Sequence, residues 1–326
     1  MRLFWRPLAL VALLAAAASA PAVEQLQLLS EHRVDGMPAG QLSGLAWCGD
    51  ALMAVSDRVD DRLYRLTPDP EAEVWSAEEE AFSAPSAPAR LPWGLRMRNQ
   101  AAGLLRGGYL DFEDIACDAA GNRYLVSEAE AAVLRVPQAG EAQWLALPAT
   151  LVRQARAAGM LVEVNAMFEG LAVDPAAQTL WLAAERRRRG LLVLHRQRDA
   201  WACQGGCVLL SEGGTVAAAD PLGEAPEDFS GLSWHADRLF SLERQAQQIC
   251  RRDPASGARE RCWSYAELAQ AESRRYPTDL GQVEALMVDE QGAWLGTDTN
   301  GLVRADGERR PVIWRVAAPA RGWLQR

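Results

Sequence analysis

One motif recurs five times along this chain: a small or acidic residue, then Gly or a stand-in, then a short apolar run. It reads Ser43-Gly44-Leu45-Ala46-Trp47, Glu113-Asp114-Ile115-Ala116-Cys117, Glu169-Gly170-Leu171-Ala172-Val173, Ser230-Gly231-Leu232-Ser233-Trp234 and Glu284-Ala285-Leu286-Met287-Val288. Each copy is followed 13 to 16 residues later by a carboxylate that ends a second apolar run: Asp57, Glu128, Glu185, Glu243 and Asp298. Self-similarity at a fixed spacing marks a repeat architecture, in which each unit buries its apolar faces only against its neighbours.

Each copy predicts several short strands bounded by turn residues. The second runs are 51–56, 123–127, 179–184, 238–242 and 293–297, and the third runs are 62–66, 132–136, 191–195, 248–251 and 302–304. A fourth run carries Trp75, Trp144, Trp263 or Trp314, while the third copy offers Trp201 and then 207–210. Four antiparallel strands per radially repeated unit make a β-propeller blade. The expected fold is therefore all-β, a single propeller of five four-stranded blades. A sixth, degenerate blade within 91–105 is the alternative. Long connectors between blades cap one face, with short helices expected at 151–159 and 265–273, and residues 23–33 can add a strand that closes the ring.

Arg2 and Arg6, the apolar run 8–18 and the small residues after it form a leader with a cleavage-type site. The expected organisation is a signal peptide over 1–22 and one propeller domain over 23–326, in the periplasm or secreted. No later stretch is long and apolar enough to span a bilayer. Six cysteines in such a compartment point to disulfides. Cys250 and Cys262 flank a turn, Cys203 and Cys207 enclose a short loop, and Cys48 and Cys117 sit near the ends of innermost strands in adjacent blades. Buried free thiols are the alternative for each pair. The chain has no Lys and a net charge of −9, which argues against nucleic acid as a partner.

The start of a blade's first strand and the end of its second share one face. Asp57, Glu113, Glu128, Glu169, Glu185, Glu243, Glu284 and Asp298 therefore gather on one rim. So many carboxylates repel unless compensated. A hard cation with oxygen ligands, most plausibly Ca²⁺, is one solution, and Asn165 can add an amide oxygen. Arginine is the other: Arg58, Arg186 and Arg244 directly follow Asp57, Glu185 and Glu243, and Arg187 to Arg189 extend the third case. A Ser–His–Asp hydrolase is disfavoured. His32, His195 and His235 are the three histidines, His235 occupies a turn position, and no Gly-x-Ser-x-Gly elbow occurs.

The stretches Leu42 to Leu45 with Val55 to Arg58, Asp111 to Ile115 with Val126 to Glu128, and Asn165 to Ala172 with Ala184-Glu185 resemble the esterase-like, phytase-type propeller family. They are also similar to the SdiA-regulated propeller family. The resemblance runs from about Gln41 to Asp298. It implies Ca²⁺ at Glu113, Glu128, Glu169 or Glu185, and hydrolysis of a phosphate or carboxylic ester. Ser43, Ser230 and Ala285 depart from the acid–Gly pattern, and the only dense basic run is Arg186 to Arg189. Two readings follow. In one, a metal-dependent esterase or phosphoesterase acts on a small anionic ester, with Glu169, Glu185, Arg186 and Arg244 as candidate catalytic residues. In the other, a non-catalytic periplasmic propeller with structural calcium binds another small molecule or an envelope protein.

Overall fold

The computed structural model describes residues 23–38, 40–163, 166–217, 223–278 and 281–325, so the expected signal peptide over 1–22 and Asn165 lie outside the described residues. Its innermost strands are Gly44–Cys48, Phe112–Cys117, Phe168–Val173, Gly231–His235 and Val283–Asp289. Each contacts the next, and the last returns to the first, so the five close a ring around one axis. From each of them an antiparallel group extends outward, and the chain is a β-propeller.

The second strands are Ala51–Val55, Arg123–Ser127, Thr179–Ala184, Arg238–Glu243 and Gly292–Thr297, nearly all buried on both sides. This explains why their sequences read as apolar runs with little alternation: both faces of each blade are covered by neighbouring blades. The core is accordingly divided. One apolar cluster fills each interface, for example Leu45, Leu52, Tyr64 and Trp75 of the first blade against Ala285, Met287 and Ile313 of the fifth. Similar clusters fill the other four interfaces.

Ring closure uses the N-terminal segment. Leu28–Asp35 pairs antiparallel with Val312–Ala317 as the outer strand of the fifth blade, and Arg33–Asp35 also pairs in parallel with Val74–Ser76 of the first. In the fifth blade the third strand is thus Val312–Ala317. Residues 302–304, expected as that strand, are irregular, because the N-terminal strand supplies the fourth position and Trp314 moves into the third. In the third blade both Ala200–Ala202 and Val208–Glu212 pair with Arg189–Gln197.

The stretch 91–105, considered for a sixth blade, is occupied by the helix Trp93–Arg106, which follows Pro92 and ends at Gly107 with φ +80°. The expected connector helices are present as Leu151–Ala157, Ala266–Ala269 and a 3₁₀ turn at Glu272–Arg274. Three disulfides, Cys48–Cys117, Cys203–Cys207 and Cys250–Cys262, tie adjacent blades, a loop and a hairpin. Among the described residues no helix is long and apolar enough to cross a membrane.

Candidate functional site

Where the motif's first residue is Glu, strand pairing is irregular at that residue. The register shifts between Phe112 and Asp114, Phe168 and Gly170, and Val283 and Ala285, each time stepping over the Glu. A bulge re-aims the side chain that it releases, and Glu113, Glu169 and Glu284 all line one axial cavity. The two Ser copies pair regularly from Gly44 and Gly231. Ser43 Oγ accepts from the Asp57 amide at 3.1 Å and reaches Asp298 at 3.5 Å, while Ser230 Oγ donates to the Val283 carbonyl. These serines fasten neighbouring backbone and carboxylate groups without adding charge.

The cavity measures about 450 Å³ and is lined by Asp57, Glu113, Glu128, Glu169, Glu185, Glu284 and Asp298, with Arg58, Arg186 and Arg244. Seven of the eight rim carboxylates expected from sequence are thus brought together. Glu243 is not among them. It turns outward between Arg189 at 2.9 Å and Arg252 at 2.7 Å, and both guanidiniums also lie over the Phe229 ring. Burial would raise the Glu243 carboxyl, but the two arginines outweigh it and hold it below the usual range.

The rim is electrostatically divided. On one side Arg244 is enclosed by Glu185 at 2.7 Å, Asp228 at 2.9 Å and a close contact to Glu284, and Arg186 also closes on Glu185. On the other side Asp111, Glu113, Glu128 and Glu169 crowd together. Burial, then the charges of Glu169, Asp111, Glu128 and Asp57, push the Glu113 carboxyl well above its ordinary value. Burial, then Asp111 and Glu185, do the same to Glu128, against the Met167 amide that donates to it at 3.0 Å. Glu169 is raised by burial, Glu185, Glu128 and Glu284, with Arg244 opposing.

Two triads of carboxylate oxygens lie within 4.8 Å: Asp111 with Glu113 and Glu128, and Glu128 with Glu169 and Glu185. Glu185 Oε2 is buried and has no hydrogen-bond partner among the described residues. An all-carboxylate donor set with a buried, unpartnered oxygen fits a hard cation better than a soft one. A third grouping, Glu243 with Cys250 and Cys262, does not fit a metal, since both cysteines are in a disulfide.

Asp111 and Asp228 belong to the site although the repeat does not single them out. Asp111 and Asp228 share a signal: each stands two residues before the motif, in Asp111-Phe112-Glu113 and Asp228-Phe229-Ser230. Asp111 has φ +56°, a left-handed turn that introduces its strand. Asp114 is fully buried between the innermost strands, accepting from the Leu171, Leu232 and Ile115 amides.

A family model described as phytase-like, esterase-like activity of phytase, matches residues 37–202, just over half of the chain. No match is found among curated protein sequences. Among solved structures the chain is similar to glutaminyl cyclase of Myxococcus xanthus, at 11% identity over 90% of this chain and 97% of that one, with a TM-score of 0.51. It is also similar to the PQQ-bound aldose sugar dehydrogenase of Streptomyces coelicolor, at 13% identity over 91% and 100%, with a TM-score of 0.46. At such identities the first likeness bears on the fold alone.

Proposed function

The chain belongs to the phytase-like family, and from that premise we propose that it is an exported propeller hydrolase of small phosphate or carboxylic esters that holds Ca²⁺ in its axial cavity. One observation carries the reading: Glu113, Glu128 and Glu169 line one side of the cavity, with Asp111 grouped beside Glu113 and Glu128, while Arg244 and Arg186 close on other acids. Converging charge of one sign in a buried space is stabilised by a counterion.

Glu128, Glu169 and Glu185 would hold the ion, with Asp57, Glu284 and Asp298 as further oxygen donors around the same axis. When bound, Ca²⁺ supplies polarisation of the ester oxygen and a lowered pKa of the attacking water. Glu113, in the adjoining triad, would serve as the base that takes a water's proton. Arg186, whose side chain is 36% exposed at the cavity wall, would hold the anionic oxygen of the substrate. Arg244 is saturated by three carboxylates and positions Glu185 and Glu284. The three disulfides support the exported setting.

The second reading, a binding propeller with structural calcium, is favoured by the same Arg244 brace, which makes half of the rim resemble a structural ion-pair network. Calorimetric calcium titration with p-nitrophenyl phosphate and acetate assays, with and without chelator, separates the two. Saturable binding with chelator-sensitive turnover supports the hydrolase, and binding without turnover supports the structural ion. In Glu169→Gln the loss of one charged ligand should weaken calcium binding by about tenfold or more and shrink the calcium-induced rise in melting temperature. An unchanged calcium response would remove Glu169 from the ligand set.

A further inference from the structure

The connector between the first and second blades has a charge opposite to that of the protein. Residues 81–110 hold Arg90, Arg96, Arg98 and Arg106 and no acid, in a chain whose net charge is −9. Arg90 donates to the Leu147 carbonyl at 2.9 Å and the Leu145 carbonyl at 3.3 Å, bonds that leave its charge in place. Arg96 lies 3.9 Å from Glu130, and Arg98 is exposed.

The same connector presents apolar surface to solvent. Trp93 is 77% exposed, Met97 48% and Tyr109 55%, three of the eight large apolar side chains that are exposed among the described residues. Trp93, Met97 and the exposed Ala101 stand four residues apart and so share one stripe of the helix Trp93–Arg106, with Arg98 beside it. The other side of the helix is docked. Leu95 packs on the cluster that contains Leu91, Leu147 and Leu151, and the buried Asn99 amide donates to the Ala129 carbonyl at 3.0 Å. A Cβ at Gly103 would come within 2.9 Å of the Gly108 carbonyl oxygen. The helix is thus held by one side while its Trp93 stripe faces outward, and clustered exposed apolar groups mark a contact surface.

We propose that the helix Trp93–Arg106 is the contact through which the protein rests on an anionic lipid surface, with Trp93 and Met97 entering the headgroup boundary and Arg98 meeting lipid phosphates. An apolar stripe bordered by arginine, on a helix without acids, has the chemistry of helices that lie in the plane of a membrane interface. Trp and Tyr rings suit the headgroup level, being apolar with one polar edge. Charge selects this occupant over a second copy of the chain, because a two-fold contact sets the same patch against itself and would bring the arginines of one connector against those of the other. It also fixes orientation: an anionic surface repels the acidic protein as a whole and attracts this connector. Ala129, on which Asn99 docks, directly follows Glu128 of the acidic cavity, so the contact lies beside that cavity. The inference does not depend on what the cavity does.

The test is co-sedimentation of residues 23–326, which contain every strand of the propeller, with vesicles of phosphatidylcholine alone or mixed with phosphatidylglycerol. Omitting 1–22 keeps the apolar run 8–18 from entering the lipid itself, and a chelator keeps calcium from bridging protein acids to lipid phosphates. Binding to the anionic vesicles should exceed binding to the neutral ones by about tenfold or more and fall in about 0.5 M NaCl. Arg98→Glu should weaken it by about tenfold, and Trp93→Ala and Met97→Ser by about 3- to 10-fold each. Because these three side chains are exposed, the melting temperatures of the variants should match that of the wild type, which separates a lost contact from lost folding. No sedimentation with anionic vesicles at about 1 mM lipid, equal binding to neutral and anionic vesicles, or binding untouched by Trp93→Ala and Arg98→Glu would each overturn the proposal. So would a dimer in sedimentation velocity that Trp93→Ala abolishes, which would assign the stripe to a second copy.

Discussion

Glu185 places one buried oxygen 2.7 Å from the Arg244 guanidinium and keeps the other, also buried, without a hydrogen-bond partner among the described residues. The arginine thus fixes the carboxylate's direction while leaving a coordination position toward Glu128 and Glu169. Ion pairing and, in the proposed function, metal ligation, alternatives at the level of sequence, would be combined in one side chain.

Replacing Arg244 by Met would strand Glu185, Asp228 and Glu284 as buried charges without their shared cation. Removing one partner of a buried pair costs about 3–5 kcal/mol, and three acids share this one. Urea denaturation without calcium should show at least that loss, with added calcium restoring part of it by binding the freed acids. A change below about 1 kcal/mol would mean that the brace contributes little.

The pH dependence of the metal-free protein follows from the same group. Burial pushes the Glu185 carboxyl up from 4.5 to about 7, against Arg244 and Arg186. Between those two values the folded state binds more protons than the unfolded one, so stability falls as pH rises through this window. Glu243 acts in the opposite sense, its lowered carboxyl contributing stability that is lost on acidification below the ordinary glutamate range. In chelator the melting temperature should therefore peak near about pH 5 and decline toward pH 8. Calcium should flatten the decline, because an ion on the ionised acids removes their preference for protons. A melting temperature that rises steadily from pH 5 to pH 8 in chelator would contradict this.

The repeat made the axial ring and most of its acids legible, because both depend on spacing alone. Glu113, Glu128, Glu169, Glu185, Glu284, Asp57 and Asp298 reach the cavity wherever the blade geometry is kept. Glu243 was not separable from them by spacing. Its direction is set by Arg189 and Arg252, which arrive from third strands of two different blades. The helix Trp93–Arg106 and the irregular 302–304 stretch were similarly opaque, since apolar content without a clear period does not choose between strand and helix. The fourth strand of the last blade could be anticipated only in outline: a strand donated from the other end of the chain leaves no local mark on residues 302–317.

Gly44 shows what the second position of the motif is for. A Cβ there would come within 2.7 Å of Asp114 Cα and 2.8 Å of the Ile115 amide, backbone atoms of the adjacent innermost strand that cannot turn aside. Gly44→Ala should therefore cost about 1–3 kcal/mol through overpacking, measured by urea denaturation. Gly49→Ala tests a different term: a Cβ there meets nothing within 4 Å, but its φ of +67° makes any loss one of backbone strain.

Asp114 is the tie that this close approach permits. Its Oδ2 accepts from Leu171 at 2.8 Å and Leu232 at 3.2 Å, on the innermost strands of the third and fourth blades, while Oδ1 accepts from its neighbour Ile115 at 2.8 Å. One carboxylate from the second blade therefore holds two others at the axis. Burial drives its pKa well above the ordinary value, with the three amides opposing. In Asp114→Asn the oxygen can serve Leu171 and Leu232 only by turning its NH₂ against the Ile115 amide, so a bond is lost and two donors are opposed. The expected cost is about 1–3 kcal/mol, read by urea denaturation, with faster amide exchange at Leu171 and Leu232 than at strand positions of the fifth blade. Unchanged stability and exchange would show that the carboxyl is protonated in the native state, because an amide then replaces it at little cost.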